Sequence, residues 1–463
     1  MKKSKRLLVL LGILLAACAA TFAISQHEEE KEKIQNSDEI ILAIETDSVT
    51  SLSWEFDESA FAFHKDETWL YDEDEAFPVD EEKIADLLKQ FQKFGVSFVI
   101  EEVEDYAQYG LEEPECTIHI TAGEQDYTIQ LGAFSTMDSK RYLSIGDGKV
   151  YLASHDPMEE YEVQISDLIK HDEIPGLSDA TAIRFAGTED AEILYEEEST
   201  NTYCEDDVYF IDNKPLDSTL VGDYLSTVSG LGLSEYVSYN ATEEELAAYG
   251  LDTPDLTITV DYPVENPEED TTTTETFVLH LGRNQEELKE AQESEDEDAE
   301  YSVTAYARVG ESQIVYEITP LEYANLTKNT YDDLRHKEVL TASFDDIYQI
   351  DITLEGEAHT ISSVVEEDVK TWQYGEEELS ISALQSAVEA LEAISFNSDE
   401  PAEKEEISFT VYLDNENYPE IHVALYRYDG SECIAVVDGE TFAMVSRSRV
   451  VDLVEAVNGI VLG

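Results

Sequence analysis

The chain repeats itself. Tyr109-Gly110-Leu111-Glu-Glu-Pro114-Glu-Cys-Thr117-Ile118-His-Ile120 returns as Tyr249-Gly250-Leu251-Asp-Thr-Pro254-Asp-Leu-Thr257-Ile258-Thr-Val260. A second block, Tyr127-Thr-Ile-Gln-Leu-Gly132, returns as Phe277-Val-Leu-His-Leu-Gly282. The second copy carries about ten extra residues between the two blocks, around 263–274. A third copy keeps the pattern at 407–413 and 420–425 without the Tyr-Gly-Leu signature. Self-similarity at this scale means tandem units, and any fold proposed for the chain must be built three times.

Each copy ends in a hairpin, at 141–153, 305–316 and 432–444. Asp147-Gly148 and Asp438-Gly439 suit the positive φ angles of a tight turn between alternating strands. A short closing helix follows, at 163–169, 321–326 and 450–457. The first halves also correspond. An opening strand (49–56, 182–185, 347–354) leads to a strand bearing aromatics (69–71, 208–210, 372–374), and then to a helix. In the first copy Asp80 caps that helix, and Ile84, Leu87, Leu88 and Phe91 form one buried face. Leu220, Val221, Tyr224, Leu225 and Val228 do the same in the second, and Leu384, Ala387, Val388 and Leu391 in the third.

The fold class expected is therefore α+β: three tandem units, each an antiparallel sheet packed with one or two helices. Alternation of Thr117 and His119 with Ile118 and Ile120 gives the sheet one wet face. The units are placed at 40–172, 176–336 and 340–463, with an acidic, solvated insertion at 284–300 in the second. A length of 463 residues agrees with about three domains. The joints at 173–177 and 336–339 are short, which favours packed neighbours. In the motif itself, Gly110 and Gly250 end a helical turn with positive φ, and Pro114 and Pro254 stop the helix and start the strand. Leu111 and Leu251 plug the core, and Tyr109 and Tyr249 are read as structural.

Ahead of the units, Lys2, Lys3, Lys5 and Arg6 precede an uncharged segment at 7–24. At about 1.5 Å per residue it spans about 27 Å, near the lower limit for crossing a bilayer. The basic start stays in the cytoplasm and the rest lies outside. Residues 1–26 are read as a retained membrane anchor or as a lipoprotein-type signal, since Leu15-Ala16-Ala17-Cys18 resembles the bacterial lipobox and makes Cys18 a candidate for lipidation. Full secretion after cleavage is a third option. The apolar run 19–24 favours the anchor. All three put the bulk of the chain outside the cytoplasm, above a charged stalk at 27–39.

With 27 Lys plus Arg against 106 Asp plus Glu, the formal charge is −79. That excludes non-specific nucleic-acid binding and argues against docking on anionic lipid. A hydrophobic fraction of 42% still suffices for real cores. No catalytic, cofactor or metal residue is nominated. HExxH, GxSxG, SxxK, P-loop and GxGxxG patterns are missing, and carboxylate pairs are too common to single one out. His119, His280 and His422 fall on related strands and read as solvated residues. Oxygen-rich runs at 72–75, 293–298 and 414–417 lack the spaced loop of an ordered calcium site, so diffuse cations are expected there. Cys116, Cys204 and Cys433 read as structural thiols, with a pairing between two of them left open.

An N-terminal anchor, a Trp strand followed by Val-Asp-Glu-x-x-Ile-x-x-Leu-Leu, and Tyr-Gly-Leu-x-x-Pro leading into a strand together resemble bacterial proteins of the domain of unknown function 4340 family. The resemblance is strongest over 61–152, recurs over 208–316 and lacks the motif in the third unit. It implies an outward-facing envelope protein, auxiliary to an ABC transporter of gliding-motility type or to other envelope proteins. The family assigns no catalytic residues. The leading expectation is a non-enzymatic interaction or accessory module held at the membrane. A surface glycan- or ligand-binding protein is the alternative, and an unrecognised envelope hydrolase the second.

Overall fold

The computed structural model describes residues 39–462 apart from 102, 188, 189, 205, 268, 269, 297, 298, 368, 397–400, 402 and 403. The segment 1–26, Cys18 and nearly all of the stalk lie outside the described residues. Among the described residues, no helix is long and apolar enough to cross a membrane. The chain forms two compact units, one up to His171 and one from Asp172 onward.

The first unit holds one sheet of nine strands: β1 (Glu39–Leu42), β2 (Val49–Phe56), β3 (Ser59–Lys65), β4 (Trp69–Tyr71), β5 (Phe94–Ile100), β6 (Cys116–Ala122), β7 (Gln125–Ser135), β8 (Lys140–Ser144) and β9 (Val150–Ala153). Their order is β4-β3-β2-β6-β7-β8-β9-β5-β1, antiparallel throughout.

The second unit holds two more such sheets. One comprises β10 (Ala182–Gly187), β11 (Ala191–Tyr195), β12 (Tyr209–Ile211), β13 (Lys214–Pro215), β14 (Tyr236–Ser238), β15 (Leu256–Asn266), β16 (Thr271–Arg283), β17 (Ala305–Val309) and β18 (Val315–Ile318). The other comprises β19 (Ile347–Leu354), β20 (Glu357–Glu366), β21 (Val369–Tyr374), β22 (Glu377–Leu379), β23 (Ala393–Ser395), β24 (Glu405–Leu413), β25 (Glu420–Arg427), β26 (Glu432–Val437) and β27 (Glu440–Ser446). Their orders, β13-β12-β11-β10-β15-β16-β17-β18-β14 and β22-β21-β20-β19-β24-β25-β26-β27-β23, match each other strand for strand. The first sheet shares eight of the nine positions, from β4 to β5, with β1 added beyond β5 where the others add a strand at the opposite edge.

The α+β architecture in three tandem sheets is the one expected, with more strands than the sequence suggested. Two strands were expected before the helix, and each sheet inserts a third between them: β3, β11 and β20. These are hairpin partners of the opening strand. In the third sheet the hairpin turns on Glu355 (φ 53°) and Gly356 (φ 83°). A further strand after the helix, β5, β14 or β23, carries the chain to the far side of the sheet. The closing helix of the first copy is also shorter than expected: a turn at Met158–Tyr161 and a 3-10 turn at Ile165–Leu168. In the third copy it is longer, Arg447–Val461.

One face of each sheet is covered by helix. In Glu81–Lys89, Asp80 accepts from the amides of Glu82 and Lys83, and Ile84, Leu87 and Leu88 are buried. Such a cap contributes about 1 kcal/mol. Asp217 caps Ser218–Ser229 in the same way. The two caps are anchored alike, since the Asp80 amide donates to the carbonyl of Leu168 and the Asp217 amide to that of Leu334. Trp54 sits at the centre of the first core, 5.1 to 5.7 Å from Phe61, Phe63 and Tyr161. The extra residues of the second copy lengthen the β15–β16 hairpin, whose outermost pair is Asn266 with Thr271. The acidic insertion contains the helix Gln285–Gln292, capped by Asn284.

Candidate functional site

Register places an acid at one position in all three sheets. Cys116, Leu256 and Ile407 are the first core residues of β6, β15 and β24, and pair with Leu131, Leu281 and Leu425. The residues just before them are Glu115, Asp255 and Glu406, and each holds an arginine. Arg141 donates through Nη1 to Glu115 and to the Gly132 carbonyl, and through Nε to Asp156 at 2.8 Å. Its side chain is only 8% exposed, so that clasp is closed. Arg427 and Arg447 share Glu406, with Nε atoms at 3.5 and 3.3 Å.

The clasp of the second sheet opens onto a cleft. Arg283 donates Nε to Asp255 at 2.9 Å, and Tyr323 donates its hydroxyl to the same carboxylate oxygen at 2.8 Å. The guanidinium stands 5.1 Å from the Tyr323 ring centre. Burial and the neighbouring Asp255 carboxylate push the Tyr323 hydroxyl pKa up. Beside this group lies a cleft of about 1080 Å³, also lined by Arg184, Asp190, Asp212 and Tyr331. Arg184 grips Asp261 with both Nη atoms at 2.8 Å, holding that carboxyl below its ordinary range, and Thr276 adds a hydrogen bond. The cleft lining therefore combines guanidinium donors, carboxylate acceptors and aromatic rings.

A second polar cluster joins the second and third sheets. His336 Nε2 meets Asp207 at 2.7 Å, while Asp217 and Glu338 lie 3.8 and 3.7 Å from Nδ1. Burial alone lowers the His336 pKa, but the hydrogen bond to Asp207 and the three carboxylates outweigh it and raise it. The preceding Arg335 packs over Tyr331, Phe396 and Phe442 at 4.1 to 4.8 Å. Tyr203 reaches the core of the third sheet and meets Tyr418 edge-on at 5.4 Å.

The residues of the repeat motif form a docking turn. Gly110 and Gly250 have φ of 68° and 70°. The turn sits directly on a strand glycine: a Cβ on Gly132 would lie 2.3 Å from the Tyr109 carbonyl, and one on Gly282 2.6 Å from that of Tyr249. Leu111 and Leu251 are buried, and Tyr109 and Tyr249 pack at a tilt against Tyr142 and Tyr306. Pro114 and Pro254 stand just ahead of β6 and β15. In the third sheet Tyr426 takes the glycine's register position and packs on Ile434, Val436 and Met444.

The three histidines each bond a threonine across the strand: His119 to Thr128, His280 to Thr257 and His422 to Thr410, at 2.9 to 3.1 Å. Burial and Arg308 lower the His280 pKa. The oxygen-rich runs are tied into local turns, as Asp74 accepts from Ala76 and Asn415 from Asn417 and Tyr418. Among the described residues, no three His, Cys, Asp or Glu side chains are grouped to hold a metal. Cys116, Cys204 and Cys433 are free thiols, which answers the question of a pairing among them. Sequence reading missed Arg184, Asp255, Arg283, Tyr323, Asp207 and His336. The scarcity of arginine in so acidic a chain was the available signal for the first cluster.

No curated protein and no solved structure matches the chain. The family model described as Domain of unknown function (DUF4340) matches residues 69–201 and 211–408, well over half of the sequence. The chain belongs to the DUF4340 family.

Proposed function

We propose that the protein is a membrane-held extracytoplasmic interaction module, accessory to an envelope assembly such as an ABC transporter of gliding-motility type, and not an enzyme. The observation that carries this reading is the N-terminal sequence. Four basic residues and the uncharged segment 7–24 precede an array with a net charge of −79. Repetition of one sheet three times adds support, because it multiplies surface without calling for a single active centre. Anchorage runs through the apolar segment itself or through lipid on Cys18. Crosslinking in intact membranes followed by affinity purification tests the reading, with co-purification of a permease subunit as the expected result. Recovery of this chain alone overturns it. A Cys18→Ala variant that still fractionates with membranes selects the apolar anchor over lipid.

The cleft beside Arg283 favours a second reading, a surface module that binds a glycan or another extracellular ligand. Binding by the full chain to a glycan array tests it.

A further inference from the structure

The three arginine clasps differ in what they leave free. Arg141 spends Nε and Nη1 on two carboxylates and a carbonyl and is closed off. Arg427 and Arg447 converge on one carboxylate. Arg283 engages only its Nε closely, since the nearest further acid, Glu300, is 3.9 Å from Nη1. The clasp of the second sheet faces a cleft of about 1080 Å³, whose lining also includes Arg184, itself held through both Nη atoms by Asp261.

Charge narrows the ligand. Four carboxylates, Asp190, Glu192, Asp212 and Asp255, line the cleft against two guanidiniums, and the whole chain is at −79. An anion is repelled on approach. A simple cation finds two of the acids already engaged: Asp255 by Arg283 and Asp190 by the Gly187 amide. What remains is the Arg283–Asp255 edge, where Nη donors without a close acid stand next to a carboxylate, with Asp212 as a further acceptor on the lining. Vicinal hydroxyls of a sugar ring show the same alternation, one accepting from the guanidinium and the next donating to the carboxylate in charge-assisted bonds. Tyr323 and Tyr331 also line the cleft and add apolar ring surface to it.

We propose that the cleft between Arg184 and Arg283 binds a neutral saccharide through its vicinal hydroxyls. This deepens the ligand-binding reading above and rests on it. The test uses the full-length protein in detergent, titrated calorimetrically with chitotetraose and maltotetraose as neutral probes, and with deacetylated chitotetraose and tetragalacturonate as cationic and anionic ones. At least one neutral probe is expected to bind, with its charged counterparts weaker by about tenfold or more. Arg184→Gln and Asp212→Asn, both on the rim and checked by circular dichroism, are each expected to weaken binding by about tenfold. Tighter binding of the cationic or anionic probe overturns the neutral assignment while leaving a ligand site. Neutral binding unchanged in both variants overturns the cleft assignment but keeps the glycan reading. If no probe binds and a glycan array is also blank, both fall together.

Discussion

Arg283 and Arg427 hold the same register position in two sheets, each two residues beyond a core leucine, Leu281 or Leu425, that pairs with the first core residue of the preceding strand. Each guanidinium turns to the acid that precedes that residue, Asp255 or Glu406. The first sheet reaches the same arrangement by another route, because Ala133 occupies this position and Arg141 comes from the next strand. What is retained is the acid at the mouth of the strand and a cation to match it. The source of the cation is free to change.

Removing the acid should therefore cost more than removing the pair. Asp255→Ala leaves Arg283 short of its partner and the Tyr323 hydroxyl without an acceptor, a loss of about 2 kcal/mol. Adding Arg283→Met removes the uncompensated charge and should restore part of that loss. Urea unfolding of the two single variants and the double variant measures the coupling. Strictly additive losses would show that the clasp is not an interacting unit.

The motif turn predicts a sharp difference between glycines. In Gly282→Ala the new Cβ would meet the carbonyl oxygens of Tyr249 and Gly250 at 2.6 Å, both backbone atoms with little freedom to give. Overpacking of this kind costs about 3 kcal/mol. Gly123→Ala meets nothing within 4 Å and loses only the ease of φ 61°, about 1 kcal/mol. Hydrogen exchange reads the difference locally, with the amides of Gly250 and Leu251 deprotected in Gly282→Ala.

The same turn shows what the sequence could and could not reveal. Glycine, proline and alternating apolar residues are dictated by backbone geometry, so the motif and its strands were legible at once. Helix faces such as Ile84, Leu87 and Leu88 were equally clear. The strands β3, β11 and β20 were not, because they share no residue pattern and β20 buries only Ile361 among its ten positions. Loss of the motif in the third unit becomes intelligible only with the register, which puts Tyr426 where the turn would need a glycine. The arginine clasps and the Asp207–His336 pair join residues far apart in the chain, and pairwise polar contacts of that kind leave no periodic trace.

The thiols should separate by burial. Burial pushes Cys116 up to about 12 and Cys433 up to about 11, and both are inaccessible. Cys204 is partly exposed, with its pKa also raised by burial and by Asp207. Iodoacetamide at pH 8 should label Cys204 slowly in the native protein, and Cys116 and Cys433 only after unfolding. Peptide mass mapping after timed quenching resolves the three. Early labelling of Cys433 would contradict the buried core of the third sheet.

The junction between the second and third sheets should respond to pH through His336. Its pKa in the folded chain lies above the ordinary 6.5, because the bond to Asp207 and the charges of Asp207, Asp217 and Glu338 outweigh the cost of burial. A group whose folded pKa is raised binds its proton more tightly when folded, so its contribution is fully present below about 6.5. That contribution is lost as pH rises through the raised value. The stability of the part from Asp172 onward should accordingly fall as pH rises from about 6.5 through the raised value. His336→Gln should flatten the fall, having no proton to lose. Subtracting the two urea-unfolding series removes the background from the many other carboxylates, which the variant shares. A difference that grows with pH, or does not change, would rule out protonated His336 as the clamp at this junction.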